Sequence, residues 1–237
     1  QVRSLNATNI GALSEAQVAA LGTSQLQQLS NTALSALSDT QVAALAVTQV
    51  AALKSNQLSA LSAGDMAEFT TTQIAGMTTT QLRGVSATNI AALADTQIAS
   101  LTATQISNLS TSQIAAFDAT QIGSFSTTQI GALTTSQIRG FNATTIESLA
   151  DTQVAAFGAG QIAALSSSSL GAFNETQIGA LSTTQIGALV RSQIAALSET
   201  TFAALSADQA AALNVTQLRS LTATQMAALD AEDLAEF

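Results

Sequence analysis

Large apolar residues recur along the chain at spacings of three and five residues in strict alternation. From Asn6 to Phe237 the sequence divides into 29 consecutive octads without insertion or deletion, and residues 1–5 are the tail of another. A representative copy, STTQIGAL, occurs at 126–133 and again at 182–189. We number the octads 1 to 29 and their positions one to eight. A fixed period of this kind is typical of stacked repeat arrays.

Each position of the octad has a narrow residue preference. Position one is mostly Ser, Thr, Asn or Asp, position three is mostly Thr or Ser, and position four is Gln in 21 of 29 copies. Positions five and eight are large and apolar, and positions six and seven are mostly Ala, Gly or Ser. We therefore expect positions five and eight to be buried and position two to be exposed. The test residues are Ile130, Leu133, Ile186 and Leu189 for burial, and Thr127 and Thr183 for exposure.

The spacing excludes a single long helix, because successive octads would drift about 80° around a helix that turns 100° per residue. A short helix per octad uses every position. Ser126 would be the N-cap, Gln129 would close a capping box three residues later, and Ile130 and Leu133 would share one face. A ladder of Gln side chains between stacked coils is the alternative role for position four.

The predicted fold is an all-α solenoid of short capped helices, one per octad, over residues 1–237 as a single uninterrupted array. A β-solenoid with 16-residue coils is the alternative, since Ile, Val and Thr favour strands. Ala at positions six and seven favours helix instead. Helices this short are not stable alone, so the array must fold through contacts between copies.

A longer period is superimposed on the octad. Residues 78–101 match residues 134–157 at 14 of 24 positions, a separation of 56 residues or seven octads. Among the eight octads that lack Gln at position four, those with Ala33, Asn89, Thr145 and Thr201 recur at this period. Duplication alone explains the pattern, and recurrence around the solenoid axis is the alternative. A competing hint is that Phe125, Phe141, Phe157 and Phe173 occupy every second octad, which would suit two octads per coil.

Composition narrows the classes of function. The net charge of −9, with only six basic residues, argues against nucleic-acid binding and against an anionic membrane surface. No apolar run approaches the roughly 18 residues of a membrane-spanning helix. His, Cys, Tyr and Trp are absent, which removes the usual general base, thiol nucleophile and many metal ligands. We therefore predict no enzyme activity, no catalytic, cofactor-binding or metal-binding residues, and no cofactor.

Three weaker features have simpler explanations. Asp230, Glu232, Asp233 and Glu236 form an acidic end that could attract Ca²⁺ but lacks the loop spacing of a calcium site. Asn-x-Thr triplets begin at Asn6, Asn142, Asn174 and Asn214, where the cap position already explains the Asn and glycosylation is the alternative. The Ser and Thr columns would form rows of hydroxyls, as on ice-binding solenoids or any uncharged wet surface.

The octad, as in SATNIAAL at 86–93 and SDTQVAAL at 38–45, resembles the octapeptide arrays of very large surface or secreted proteins of Gram-negative bacteria, often labelled adhesin-like. The resemblance implies a structural segment of a cell-surface adhesin or extracellular filament, acting as spacer or fibre body. We expect the segment to lie within a longer chain or to bind further copies of itself end to end. We expect its shape to be a rod with two to three octads per coil. An ice- or polysaccharide-binding surface is the alternative.

Overall fold

The computed structural model describes residues 5–228. Within this range the chain is all-α, with one helix of four to six residues in each octad and no strand. The prediction of one helix per octad is therefore confirmed, and the β-solenoid alternative has no support. Every helix begins at position two of its octad.

The chain divides into two compact units, with the boundary between Phe117 and Asp118. Each unit contributes 14 of the described helices. Unit 1 contains α1 Ala7–Gly11, α2 Glu15–Ala19, α3 Thr23–Leu26, α4 Asn31–Leu34, α5 Asp39–Ala43, α6 Val47–Ala52, α7 Ser55–Ser59, α8 Ala63–Ala67, α9 Thr71–Ala75, α10 Thr79–Gly84, α11 Ala87–Ala91, α12 Asp95–Ala99, α13 Ala103–Asn108 and α14 Thr111–Ile114. Unit 2 contains α15 Ala119–Gly123, α16 Thr127–Ala132, α17 Thr135–Ile138, α18 Ala143–Glu147, α19 Asp151–Ala155, α20 Ala159–Ala164, α21 Ser167–Leu170, α22 Glu175–Gly179, α23 Thr183–Gly187, α24 Arg191–Ile194, α25 Glu199–Ala203, α26 Ala207–Ala211, α27 Val215–Leu218 and α28 Ala223–Ala228. That residues 1–237 form a single uninterrupted array stays a prediction.

The corner between helices is made by extended backbone at position one. In octad 10, Thr78 has φ −73° and ψ 154°, its side chain accepts from the Gln81 N–H, and the octad ends on extended Val85. The described backbone contains no positive φ and no cis peptide bond. Each turn is therefore made by the N-cap rather than by a left-handed glycine, which explains why the octad needs neither Gly nor Pro at its junctions.

Helices three octads apart lie in contact in both units, as α7 with α10 and α21 with α24. The small residues at positions six and seven face this neighbour. A Cβ added at Gly76 would lie 2.1 Å from the side chain of Val47, and one added at Gly171 would lie 2.8 Å from the carbonyl oxygen of Ala196. The approach is close enough that a larger residue at these positions would force a shift.

The core consists of positions five and eight, as predicted. Ile130 and Ile186 are fully buried, Leu133 and Leu189 are 3% exposed, and Thr127 and Thr183 are exposed. Position two is half-buried in 11 of the 28 described octads, Val47 and Ser55 among them, so its predicted exposure holds only in part. The burial of positions five and eight does not hold in the outermost described octads, where fewer copies pack against the side chains. The incompletely buried residues at these two positions are Leu13, Leu21, Leu205, Leu218, Leu221 and Met226.

Two octads per coil is wrong. Besides the helix contacts at a separation of three octads, side-chain hydrogen bonds join octads four apart, such as Gln73 to Val42 and Leu45. One coil therefore contains between three and four octads, above the predicted two to three. Two of the four alternating Phe residues are in contact: the rings of Phe141 and Phe157 meet edge to face, with centroids 6.5 Å apart, inside the core of unit 2.

Candidate functional site

The side chain at position four makes two connections at once. In octad 9, the Gln73 Oε1 accepts from the backbone N–H of Thr70 at 2.8 Å, which closes the capping box. Its Nε2 donates to the carbonyl oxygens of Val42 and Leu45, both at 2.7 Å, in octad 5. One buried amide therefore caps its own helix and ties its octad to the octad four copies earlier.

The same arrangement recurs through both units. Position-four glutamines that donate to the octad four copies earlier include Gln41, Gln49, Gln57, Gln73, Gln81, Gln97, Gln105 and Gln113 in unit 1, and Gln153, Gln161, Gln177, Gln185, Gln193, Gln209, Gln217 and Gln225 in unit 2. All of them are buried. The predicted capping role is confirmed. The connection between coils also exists, but it runs from Gln to backbone carbonyls rather than from Gln to Gln.

Shorter polar residues at position four keep part of this connection. Asn89 donates to the Leu61 carbonyl at 2.5 Å, Ser169 to the Phe141 carbonyl at 2.7 Å, and Thr201 to the Phe173 carbonyl at 3.2 Å. Each reaches only the position-eight carbonyl, because the side chain is shorter than Gln. In the sequence, Asn89 and Thr201 mark only octads that lack Gln, whereas in the fold their hydrogen-bond donors retain the link.

The cap position explains the four Asn-x-Thr triplets structurally. The Oδ1 atoms of Asn6, Asn142, Asn174 and Asn214 accept from the backbone N–H three residues later, at 2.8–3.1 Å. The capping interpretation is therefore confirmed at all four sites. These side chains are exposed, and glycosylation stays a prediction.

Hydroxyl groups dominate the outer surface. Position three is exposed in every described octad, and it is Ser or Thr in 23 of those 28 copies.

Shallow polar grooves lie between the beginnings of neighbouring octads. One groove of about 450 Å³ is lined by Asn174, Glu175, Thr176, Thr200 and Thr201. Another, of about 500 Å³, lies between octads 1, 2 and 5 and includes Ser14, Ser38 and Thr40. Neither lining contains an aromatic ring on which a sugar could stack.

A small cluster of carboxyl groups lies between α5 and α8. Glu68, at position seven of octad 8, hydrogen-bonds to Asp39 at position two of octad 5. Burial, the hydrogen bond to Asp39 and the charges of Asp39 and Asp65, in decreasing order of effect, together raise the pKa of Glu68 to about 7. The Oε2 atom of Glu68 is buried and has no hydrogen-bond partner.

The described part of the chain contains neither a metal-binding cluster nor a membrane-spanning helix. No group of three or more acidic residues there is placed to hold a metal ion. The C-terminal residues Asp230, Glu232, Asp233 and Glu236 lie outside the described residues. Between residues 5 and 228, none of the helices has the length and apolar character needed to span a bilayer.

Comparison with known proteins identifies the repeat itself. A family model described as the ALTTAQ repeat matches residues 1–31, 18–55, 104–135 and 160–191, which together make up just over half of the chain. The last two matches each span four octads, the separation that the position-four amide bridges. No curated protein matches the chain.

Proposed function

Because the chain belongs to the ALTTAQ repeat family, we propose that it is a structural segment of a bacterial cell-surface adhesin or extracellular filament, acting there as spacer or fibre body. The observation that carries the proposal is the position-four link. An octad with Gln at position four packs against the octad three copies earlier and donates hydrogen bonds to the octad four copies earlier. The length of such an array can therefore change in steps without altering any contact, which is what a spacer requires.

We further propose that the octads form one continuous solenoid with three and a half octads per coil. This value lies between the two separations at which octads make contact. Seven octads then complete two coils, so residues 56 apart return to the same side of the axis. The 56-residue super-repeat supports this value, because duplicating two whole coils preserves the rotational phase of every surface residue.

The interior and the surface support a non-catalytic role. The core is filled by Ile, Leu, Val, Met and Phe side chains, and the grooves with volumes of several hundred Å³ are open and polar. Charged residues are only 9% of the chain, so mainly Ser, Thr and Asn keep the surface hydrated. A hydrated and weakly charged surface suits a spacer that must avoid sticking to its neighbours.

A duplication experiment tests the spacer proposal. Inserting a second copy of residues 78–133 adds seven octads, or two coils. At a helix spacing of 8–10 Å per coil, the largest dimension measured by X-ray scattering should grow by about 16–20 Å with an unchanged cross-section. An unchanged length with a thicker particle, or loss of helical circular dichroism, would contradict the proposal.

Location and association need separate measurements. Antibodies against the repeat should label intact cells of the source bacterium, and labelling only after lysis would exclude a surface role.

Sedimentation of the 237-residue chain tests end-to-end binding. We expect the weight-average mass to rise with concentration, since an end of the array presents the contact surface that the next octads would cover. A concentration-independent monomer would leave only the spacer role within a longer chain.

The alternative function is binding of ice or polysaccharide along the hydroxyl surface. The observation that favours it is the exposure of position three in every described octad. A thermal-hysteresis assay separates ice binding from the structural role, and a polysaccharide array tests the other ligand class. Loss of such binding when position-three Thr residues of one column are replaced by Lys would support the alternative.

A further inference from the structure

The carboxyl groups of Glu68 and Asp39 occupy a contact in which position seven is uncharged in every other described octad, and is mostly Ala, Gly or Ser. Position seven of one octad lies against position two of the octad three copies earlier, as Gly76 against Val47 and Gly84 against Ser55. In octad 8 this contact brings two carboxyl groups together. We call the contact of octad 8, residues 62–69, with octad 5 the seam. We propose that a proton controls this seam of unit 1: it is closed when Glu68 and Asp39 share a proton and loosened when both are ionised.

The surroundings of Glu68 favour its neutral form. The neighbouring cavity is lined mostly by apolar side chains, among them Leu34, Leu37, Val42 and Phe69, and its volume of about 10 Å³ leaves no room for more than one water molecule. One carboxyl oxygen of Glu68 is buried there without a partner. A hydrogen bond between two carboxyl groups requires that one of them carries the proton. Ionising both would leave two like charges in contact at the edge of this cavity.

Octad 8 also lacks the link that holds its neighbours. Position four is Asp65, which caps its helix by accepting from the Ser62 N–H at 2.7 Å. An ionised carboxylate has no N–H to donate, so it cannot make the bond to octad 4 that Gln73 makes to octad 5. Octad 8 is therefore weakly held on two sides, at the seam with octad 5 and at the missing bond to octad 4.

The charged groups around Glu68 all act in one direction. Asp39 on α5 and Asp65 on α8 are both acidic, and no basic side chain contributes to the pKa of Glu68. The elements on the other side are α11, which has no titratable side chain, and α12, whose Gln97 bonds to the carbonyl of Phe69 and which carries Asp95. Nothing in this set offsets the repulsion when Glu68 ionises.

The sign of the pH effect follows from the raised pKa of Glu68. Between about pH 4.5 and pH 7 the folded state holds a proton that the unfolded state has lost. Raising the pH through this window therefore weakens the closed seam, and the closed form is favoured on the acidic side. Hydrogen exchange of the α5 and α8 amides, corrected for the intrinsic effect of pH, reports the opening directly.

The experiment uses the full chain at pH 5 and pH 8. We expect the opening of α5 and α8 to increase about tenfold or more across this range, while α20 in unit 2 serves as the internal reference. Glu68→Gln should remove the increase, because the amide cannot ionise. Glu68→Ala places the most common position-seven residue there and guards against a folding defect. Glu175→Gln, at an exposed site, is the control and should leave the increase unchanged.

A carbon-13 titration of glutamate-labelled chain supplies the second readout. The Glu68 carboxyl signal should titrate near pH 7 and shift when Asp39 is replaced by Asn. Titration of Glu68 near the usual glutamate value of about 4.3 would overturn the proposal. Equal opening at both pH values in the wild-type chain, or an increase that persists in both Glu68 variants, would overturn it as well.

Discussion

Octads 8 and 9 adjoin in sequence, cap their helices in the same way, and differ in how they are tied to the rest of unit 1. Asp65 and Gln73 each accept a hydrogen bond from the backbone N–H of their own position one, at 2.7 and 2.8 Å. Only Gln73 then donates onward, to the carbonyls of Val42 and Leu45. The local role of position four therefore needs an acceptor oxygen, whereas the long-range role needs a hydrogen-bond donor.

This difference shows which part of the octad sets its structure and which part sets its assembly. Ser, Thr, Asn or Asp at position one and an acceptor at position four suffice for a capped short helix. The connection between coils depends on a hydrogen-bond donor, since Asn89, Ser169 and Thr201 retain part of it with shorter side chains. A carboxylate at this position keeps the helix and loses the connection.

The largest expected effect comes from converting octad 9 to the chemistry of octad 8. Gln73→Glu keeps the cap acceptor but removes both N–H donors and buries a carboxylate beside two carbonyl oxygens. We expect a loss of about 2–4 kcal/mol in the free energy of unfolding, measured by urea denaturation at pH 7.5. Gln17→Glu is the matched control, because Gln17 makes the same cap bond to Ser14 but is exposed. Equal losses in both variants would show that the inter-octad bonds contribute nothing.

The contact between octads three apart can be tested with two glycines at the same octad position. Gly171→Ala would place a Cβ 2.8 Å from the Ala196 carbonyl, and we expect a loss of about 1–3 kcal/mol. A Cβ at Gly179 meets no atom within 4 Å, so Gly179→Ala should stabilise the chain by about 0.5–1 kcal/mol through helix propensity. Thermal denaturation of both variants measures the difference, and two changes of the same sign would contradict the proposed contact.

A smaller gain is expected from repairing octad 8. Asp65→Gln provides the missing donor to the carbonyls of Leu34 and Leu37 and removes one charge near Glu68. Stability should rise by about 1 kcal/mol, the usual net value of a hydrogen bond. Asp65→Glu has the same length without the N–H and is the control. If Asp65→Glu stabilises the chain as much as Asp65→Gln, side-chain length rather than donation explains the gain.

The sequence predicted the octad register, the short helices, the caps and the buried positions, because these depend on residues within one copy. Ser126, Gln129, Ile130 and Leu133 interact within a single octad or on one helix face, where spacing alone is informative. The separation of contacting copies was not predictable from the octad. When every copy is nearly identical, contacts between octads two, three or four apart would join the same types of residue. The octad therefore could not decide between these separations, and the alternating Phe residues suggested two octads per coil, which is wrong.

The sequence offered capping and a connection between coils as alternatives for Gln, and it did not predict that one side chain does both. An amide at position four satisfies the capping box completely, and no feature of the octad requires its N–H groups to go elsewhere. The signal was present in the exceptions: Asn89, Ser169 and Thr201 retain a donor where the box would also accept Glu. The pairing of Glu68 with Asp39 depends on which copies meet, and it became visible only in the fold.

The most direct test of the account is a set of distances between exposed position-three residues in unit 1. Spin labels would be placed at Thr40 in octad 5 and, in separate variants, at Asn56, Gly64 or Thr72 in octads 7, 8 and 9. With three to four octads per coil, the pairs to Gly64 and Thr72 should both be closer than the pair to Asn56, despite the longer chain between them. A distance that increases steadily with sequence separation would contradict the coil described here.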